Sequence, residues 1–369
     1  MVRHIADMAQ TLAVLEAQTF ENEDYAEVPP SDIVAYNELR SCADLFRMHE
    51  QGMLEIQPDF QRDVVWKGPE QTRFIDSLIK QLPIPSMCFA MDHKLQRWIV
   101  IDGLQRISTI VKFLKGSDWT LSPLDDIDPA IKGKSAAAIK TSNTSLHQYY
   151  TRVENLSIPV TVLRCDFKKK NHMEYLFTIF HRLNTGGMKL NNQEIRNCIF
   201  GGSLNGLLKQ LDKNVEWRRL NKMGPSQSYR MAKQEIVLRF FAFYDKANAY
   251  DGHLGKFLNS YMHDHQHARA EFIASKGVLF EQTVNCISKL IFPGDTIQKL
   301  SVTVLEALLV GVAKNIGELQ TESPEVLQQR FKALTEHEEF SETALKEGLS
   351  KKPREISRLN TAARIFGGR

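Results

Sequence analysis

The sequence predicts an α+β protein, with a small β-sheet in its N-terminal half followed by a mostly α-helical lobe. Two apolar runs, SMCFAMD (86–92) and RWIVID (97–102), are separated by the polar turn HKLQ, and this pattern is typical of a hairpin or of adjacent strands. The run SIPVTVLRCD (157–166) predicts a further strand. Beyond Gly201 the apolar residues follow helical spacing almost throughout.

The length of the chain sets the expected number of domains. With 369 residues it exceeds the size at which one hydrophobic core usually stops growing. We therefore predict an N-terminal arm over residues 1–30, a β-containing domain over residues 31–200 and a helical domain over residues 201–369. Hydrophobic residues make up 43% and charged residues 25% of the chain, and these fractions argue against a disordered or fibrous protein.

The first two helices come before the hairpin. From Ser41 the segment CADLFRMHEQGML predicts a helix with Leu45, Met48 and Phe46 inward, which Gly52 stops, and a short extended piece, LEIQP, follows. Proline in the first turn and five apolar residues on one face predict a second helix over residues 69–82. These five are Phe74, Ile75, Leu78, Ile79 and Leu82. The sequence PIP then ends the helix.

The third helix follows the hairpin directly. In LQRISTIVKFLKG the apolar residues recur at i, i+3, i+4 and i+7, and a glycine closes the helix. The residues are Ile107, Ile110, Val111, Leu114 and the closing Gly116. The sequence DGLQR (102–106) therefore lies at a strand-to-helix turn. Residues 117–155 are polar and weakly patterned, which predicts a loop or a small inserted helix.

Two more helices flank a glycine pair. The helix after the third strand has an apolar face of Leu176, Ile179, Phe180 and Leu183. It ends at the sequence NTGG. Asn191 and Glu194 resemble a capping box that opens the helix NNQEIRNCIF.

Composition also narrows the class of protein. The 47 basic and 44 acidic residues leave a formal charge of +3, so any affinity for nucleic acid depends on local patches. The five cysteines are far apart and form no CxxC pair, which fits a reducing cytosol and predicts free thiols. No stretch has the roughly 18 uninterrupted apolar residues of a membrane span, and the start lacks the apolar core of a signal peptide. We expect a cytoplasmic protein.

The DGLQR turn is the strongest candidate for chemistry. The N–H groups and the dipole at a helix start favour an anion, Gly103 lets a phosphate approach the backbone, and the guanidinium of Arg106 can grip oxygens. Asp102 would then bind a metal or water, and one carboxylate is sufficient for phosphate-bound Mg²⁺. The alternative is that Asp-Gly is only a turn and a helix cap.

Two other motifs are candidate ligand contacts. In PDFQRDVVW, Phe60 can stack on a base while Gln61 and Arg62 bind its edge or the phosphates; alternatively Phe60 and Trp66 only fasten a polar loop to the core. In FHRLNTGGMKLNNQEIRN the polar residues crowd a glycine pair, which suggests a ligand, although the glycines would equally serve as a helix C-cap. The polar residues are His181, Arg182, Asn184 and Thr185.

A histidine cluster and a lysine run each have a functional interpretation and a purely structural one. His263 and His267 would be a metal-binding pair if they lay one turn apart on a helix, or else part of an exposed helix face. The lysines at 168–170 would contact phosphates or form a solvated strand-to-helix turn.

The motifs PDFQRDVVW, QLPIP, VIDGLQRISTI and FHRLNTGGMKLNNQEIRN, in that order, resemble the N-terminal domain of the GmrSD type IV restriction endonucleases. The resemblance spans about residues 40–200 and implies a ParB/sulfiredoxin-like fold. In that family the Asp-Gly-Gln-Gln-Arg motif is associated with nucleotide hydrolysis or DNA nicking, in defence against phage or modified DNA. The resemblance therefore implies a nucleotide site formed by Asp102, Gly103, Gln105 and Arg106, with Gln61 and Arg62 nearby and Arg182, Asn184 and Thr185 on the opposite wall.

Two departures from the family pattern bear on activity. Leu104 stands where the motif has its first glutamine, which removes an amide that would bind phosphate or position water. We find no histidine-asparagine-histidine nuclease module in the C-terminal half, so we expect a stand-alone domain that does not cut DNA in that way.

The leading hypothesis is a module that binds NTP, and can hydrolyse it, contacts DNA and acts in anti-phage defence with an effector or nuclease partner. Asp102 would hold Mg²⁺ or activate water, and Gln105 would orient the phosphate or that water. Arg106, with Arg62 and Arg182, would neutralise developing phosphate charge. Two alternatives stay open: a metal-dependent DNA nickase that uses the same pocket, and a non-catalytic nucleotide- or DNA-binding sensor. The sequence leaves the preferred base and the oligomeric state open.

Overall fold

The structure is a computed structural model that describes residues 29–56, 66–183, 190–223, 232–294, 300–341, 344 and 352–368. It divides into two compact units, residues 26–190 and residues 191–369 together with 1–25. The first unit carries the sheet and the second is helical, so the predicted α+β class is confirmed. The predicted domain ranges stay predictions, and nearly all of the predicted arm lies outside the described residues.

Five strands form a mixed sheet in the order β1-β5-β3-β4-β2. They are β1 (Val34–Ser41), β2 (Leu54–Glu55), β3 (Met87–Asp92), β4 (Arg97–Asp102) and β5 (Ser157–Cys165). β1 is antiparallel to β5, β5 is parallel to β3, β3 is antiparallel to β4, and β4 is parallel to β2. β3 and β4 are the predicted hairpin, and its turn is held by Asp92 Oδ1, which accepts the N–H groups of Lys94 and Leu95.

Six helices are described in the sheet unit: α1 (Cys42–Glu50), α2 (Gly68–Ile79), α3 (Leu104–Lys115), α4 (Ala136–Lys140), α5 (His147–Asn155) and α6 (Lys170–Leu183). The predicted helices α1, α2, α3 and α6 are confirmed, but α2 ends at Ile79, so the prediction was wrong for Leu82, which lies beyond the helix and is 48% exposed. The weakly patterned stretch before β5 contains the short helices α4 and α5 in addition to loops.

The core lies between one sheet face and helices α1 to α5. α6 contacts β4, and its buried face differs in part from the predicted one. Met173, Leu176, Phe177 and Phe180 are buried. Ile179 is only half-buried and Leu183 is 45% exposed. The prediction was wrong for Leu183 because it is the last residue of the helix and lies past the end of the buried stripe.

The described helices of the second unit are α7 (Asn192–Ile199), α8 (Ser203–Leu211), α9 (Val215–Leu220), α10 (Ala232–Lys246), α11 (Leu254–Asp264), α12 (Ala270–Cys286), α13 (Val302–Lys314), α14 (Ile316–Leu319), α15 (Pro324–Glu336) and α16 (Lys352–Phe366). The capping box is confirmed, because Asn191 Oδ1 accepts the N–H of Glu194 (2.9 Å) while Glu194 Oε2 accepts the N–H of Asn191 (2.6 Å). Among the described residues, no helix is long and apolar enough to cross a bilayer. All five cysteines are buried and free, as predicted.

Buried charges lie between helices of this second unit. Arg196 donates to Glu235 Oε2 (2.8 Å), and Arg239 donates to Glu235 Oε1 (2.7 Å). Glu306 is 3% exposed. Burial raises its pKa well above the ordinary range of a glutamate, and the neighbouring Glu355 adds to the effect.

Candidate functional site

Gly103 forms the junction between β4 and α3. It is the N-cap of α3 with φ 96° and ψ 15°, in the left-handed region that favours glycine. A Cβ atom at this position would lie 2.6 Å from Cγ of Met87, whose side chain is fully buried. Glycine is therefore required here for two separate reasons, and it lets the helix begin directly after Asp102.

A one-residue register shift in the hairpin sets the direction of Asp102. Cys88 lies opposite Asp102 whereas Phe89 lies opposite Val100, so Ile101 is an extra residue in β4. Such bulges re-aim the side chains beside them, and here Asp102 comes opposite Cys88. Burial raises the pKa of the Cys88 thiol to about 12, and the negative charge of Asp102 contributes, so this thiol is not a nucleophile at neutral pH.

The guanidinium of Arg106 is engaged by the protein itself. It donates to Asp102 Oδ2 (2.7 Å) and to the backbone carbonyl oxygens of Pro85 and Ser86. The Arg106 side chain is only 14% exposed, whereas that of Asp102 is 45% exposed. Arg106 thus braces the PIP segment against the end of β4 and holds one carboxylate oxygen of Asp102.

Gln105 is also engaged. The backbone N–H of Trp66 donates to Gln105 Oε1 (3.2 Å), and the Thr109 hydroxyl donates to the Gln105 carbonyl oxygen (2.7 Å). Trp66 packs edge-on against Phe74 with ring centroids 5.3 Å apart. Trp66 is therefore a core anchor, which was one of its two sequence interpretations. Leu104, the departure from the family motif, is half-buried against the same core.

Asp102 keeps one carboxylate oxygen for a ligand. Within the described ranges no hydrogen bond to Asp102 Oδ1 occurs, and the side chain is nearly half exposed. The described residues contain no group of three or more His, Cys, Asp or Glu that would hold a metal. A single carboxylate fits Mg²⁺ that arrives with phosphate ligands, because Mg²⁺ usually takes one or two protein carboxylates beside phosphates and water.

The remaining predicted contacts are only partly described. Phe60, Gln61, Arg62, Asn184 and Thr185 lie outside the described residues, so their predicted roles stay predictions. Arg182 lies in the last turn of α6 and is exposed. Sequence reasoning missed Pro85 and Ser86, whose carbonyls hold Arg106, because it treated PIP only as the end of a helix.

The histidine cluster lacks the geometry that a metal pair requires. α11 ends at Asp264, so His263 and His267 do not share one helix. The ring of His265 stacks on Phe272, with centroids 4.5 Å apart and an interplanar angle of 6°. Burial lowers the pKa of His265.

The lysine run has a structural contact. Lys169 pairs with Asp32, and His172 Nε2 lies 2.8 Å from the other carboxylate oxygen of Asp32. The hydrogen bond from Lys169, followed by that from His172, lowers the pKa of Asp32 to about 2. Lys169 therefore fastens the chain before β1 to the start of α6.

Comparison with known proteins identifies one family. Residues 42–201 match the family model described as the GmrSD restriction endonuclease, N-terminal domain. The matched range runs from α1 to just past α7 and includes the DGLQR turn. No curated protein and no solved structure matches the chain.

Proposed function

We propose that this chain, whose residues 42–201 match the GmrSD restriction-endonuclease N-terminal family, binds a Mg²⁺-complexed nucleoside triphosphate at the DGLQR turn. In this proposal nucleotide binding controls contact with DNA in anti-phage defence, and an effector or nuclease partner acts downstream. The family itself is one of restriction systems, which supports a role directed at DNA.

The observation that carries the proposal is the state of the Asp102 carboxylate. One oxygen is held by Arg106, the other has no hydrogen-bond partner within the described ranges, and the side chain is 45% exposed. Asp102 immediately precedes Gly103, the N-cap of α3, and this helix of 12 residues has no side-chain cap at its N-terminus. Uncapped N–H groups and the helix dipole attract a phosphate, while the carboxylate attracts its cation.

The reaction that this arrangement supports is phosphate hydrolysis. If Mg²⁺ is bound with the nucleotide, it would neutralise negative charge on the phosphate groups. Asp102 would hold the ion through Oδ1, and Arg106 keeps the carboxylate in one orientation because three acceptors fix its guanidinium. The Gln105 side chain is positioned beside the turn, because its amide oxygen accepts the N–H of Trp66.

A second candidate is a nucleotide sensor without turnover. It is favoured by one specific observation: the side chains of both Gln105 and Arg106, which the hypothesis gave catalytic roles, are committed to protein contacts. Leu104 further removes an amide from the motif. In this candidate, nucleotide binding alone changes the affinity for DNA or for the partner.

The test combines binding and turnover. Calorimetry measures the binding of each Mg²⁺-NTP, and phosphate release measures its hydrolysis, with and without DNA, for the wild type and Asp102→Asn. Asp125→Asn is the matched control, because Asp125 is a fully exposed carboxylate of the same unit. Loss of binding in Asp102→Asn alone is the expected result.

The outcomes separate the candidates. Unchanged NTP binding by a folded Asp102→Asn protein contradicts the proposal. Binding without phosphate release selects the sensor. Asp102-dependent nicking of supercoiled plasmid with Mg²⁺ but without NTP selects the nickase.

A further inference from the structure

A row of side chains crosses four neighbouring strands on the sheet face of Asp102. Asp102 lies opposite Cys88, Cys88 is in register with Thr161, and Thr161 lies opposite Asn37. The strands are β4, β3, β5 and β1, which are adjacent in the sheet. Neighbouring strands lie about 4.8 Å apart, so the row extends roughly 14 Å from the Asp102 carboxylate.

Hydrogen bonds orient the far end of this row. The Thr161 hydroxyl donates to Asn37 Oδ1 (2.8 Å), and the Ser86 hydroxyl lies 3.2 Å from that of Thr161. Because its oxygen accepts from Thr161, the Asn37 amide must direct its NH₂ group away from Thr161. Asn37 is exposed, and none of the described residues accepts a hydrogen bond from this NH₂ group. The amide is thus a fixed donor that faces solvent.

An apolar surface lies beside that donor. Leu39 follows Asn37 by two residues on β1, so both side chains lie on the same face of the sheet. Leu39 is 71% exposed and lies opposite Pro159. An exposed aliphatic surface next to an oriented amide is complementary to a nucleobase, which has an apolar face and an edge of hydrogen-bond acceptors.

We propose that this row is the nucleoside subsite of the triphosphate site, an inference that rests on the proposed function. The phosphates lie at Asp102 and the start of α3, the ribose lies over Ser86 and Thr161, and the base packs on Leu39. Asn37 donates to an acceptor on the base. An extended nucleoside triphosphate spans a length comparable to that of the row, which fits both ends at once.

The experiment uses two probes on the full chain. Calorimetry measures the Kd of each Mg²⁺-NTP and of Mg²⁺-tripolyphosphate, which has no nucleoside, for wild type, Asn37→Ala, Thr161→Val and Asp102→Asn. The matched control is Tyr36→Ser, because Tyr36 is the exposed neighbour of Asn37 on the opposite face of β1. Thermal melting establishes that each variant is folded.

Asn37→Ala and Thr161→Val are each expected to raise the Kd of the preferred NTP about fivefold, the effect of one lost hydrogen bond. The Kd of tripolyphosphate should not change. Asp102→Asn should raise the Kd of both probes, and Tyr36→Ser should change neither Kd. If Asp102→Asn no longer binds NTP while Asn37→Ala and Thr161→Val bind it with wild-type Kd, the assignment of the nucleoside subsite is wrong and the proposed function stands. An equal rise in the Kd of NTP and of tripolyphosphate in Asn37→Ala also overturns the nucleoside subsite. If wild type binds neither probe, the proposed function fails and the subsite with it.

Discussion

Replacing Gly103 with alanine tests the geometry of the turn directly. The left-handed backbone costs a residue with a Cβ ~1–2 kcal/mol. The added Cβ would lie 2.6 Å from Cγ and 2.9 Å from Sδ of Met87, which is fully buried and cannot swing into solvent. Overpacking of this kind costs ~1–3 kcal/mol. The free energy of unfolding of the sheet unit is therefore expected to fall by ~2–5 kcal/mol.

Gly52→Ala is the matched control for this prediction. Gly52 also has a positive φ, 69°, but no atom lies within 4 Å of the point that its Cβ would occupy. It should cost only the backbone part, ~1–2 kcal/mol. The difference between the two variants isolates the contact with Met87, and Gly103→Ala made in a Met87→Ala background should cost only the backbone part relative to Met87→Ala alone.

Urea denaturation followed by tryptophan fluorescence is the assay. Three of the four tryptophans, Trp66, Trp98 and Trp119, lie in the sheet unit, so the signal reports mainly on that unit. An unchanged m-value is required for the comparison of midpoints. If Gly103→Ala is no less stable than Gly52→Ala, the close approach of β3 to the turn does not constrain residue 103 and the reasoning is refuted.

Three further predictions concern single side chains. In Arg106→Lys the charge is kept, but one ammonium group cannot reach Asp102 and two carbonyl oxygens together. The free energy of unfolding in urea should therefore fall by ~1–3 kcal/mol, and wild-type stability would show that these hydrogen bonds do not stabilise the turn. The raised pKa of Glu306 means that its stabilising contribution is present below its ordinary value of 4.5 and is lost as the pH rises through the folded-state pKa. The Tm of Glu306→Gln should therefore exceed that of the wild type by a margin that grows from pH 5 to 8. A difference in Tm that does not depend on pH contradicts this prediction. The lowered pKa of His265 means that its contribution is present above 6.5 and is lost as the pH falls through the folded-state pKa. His265→Phe should flatten the acid side of the melting profile between pH 7 and 5, and an unchanged slope counts against it.

Local patterns were sufficient for much of the fold. The β3–β4 hairpin follows from two apolar runs around a polar turn, and α3 follows from apolar residues at helical spacing before Gly116. The position of DGLQR at the strand-to-helix turn depends only on these neighbours, so the central candidate residues could be found without the structure. The capping box at Asn191 is equally local.

The rest depends on tertiary contacts that no local pattern encodes. β1 was not predicted, because its side chains from Val34 to Asn37 are exposed and give no alternation of buried and polar positions. The engagement of Arg106 by the carbonyl of Ser86 requires the PIP segment to return to the end of β4. The alignment of Asn37 and Thr161 with Asp102 depends on the placement of β5 between β1 and β3, which a single sequence does not show.

The sheet order also has a consequence for synthesis on the ribosome. β5 (Ser157–Cys165) is the partner of both β1 (Val34–Ser41) and β3. β1 therefore emerges long before the strand to which it binds, and at ~10 residues per second it waits roughly ten seconds. During that interval the exposed backbone of β1 can pair with other nascent chains. Expression of this protein should thus depend on elongation rate and on chaperones that protect β1 until β5 arrives.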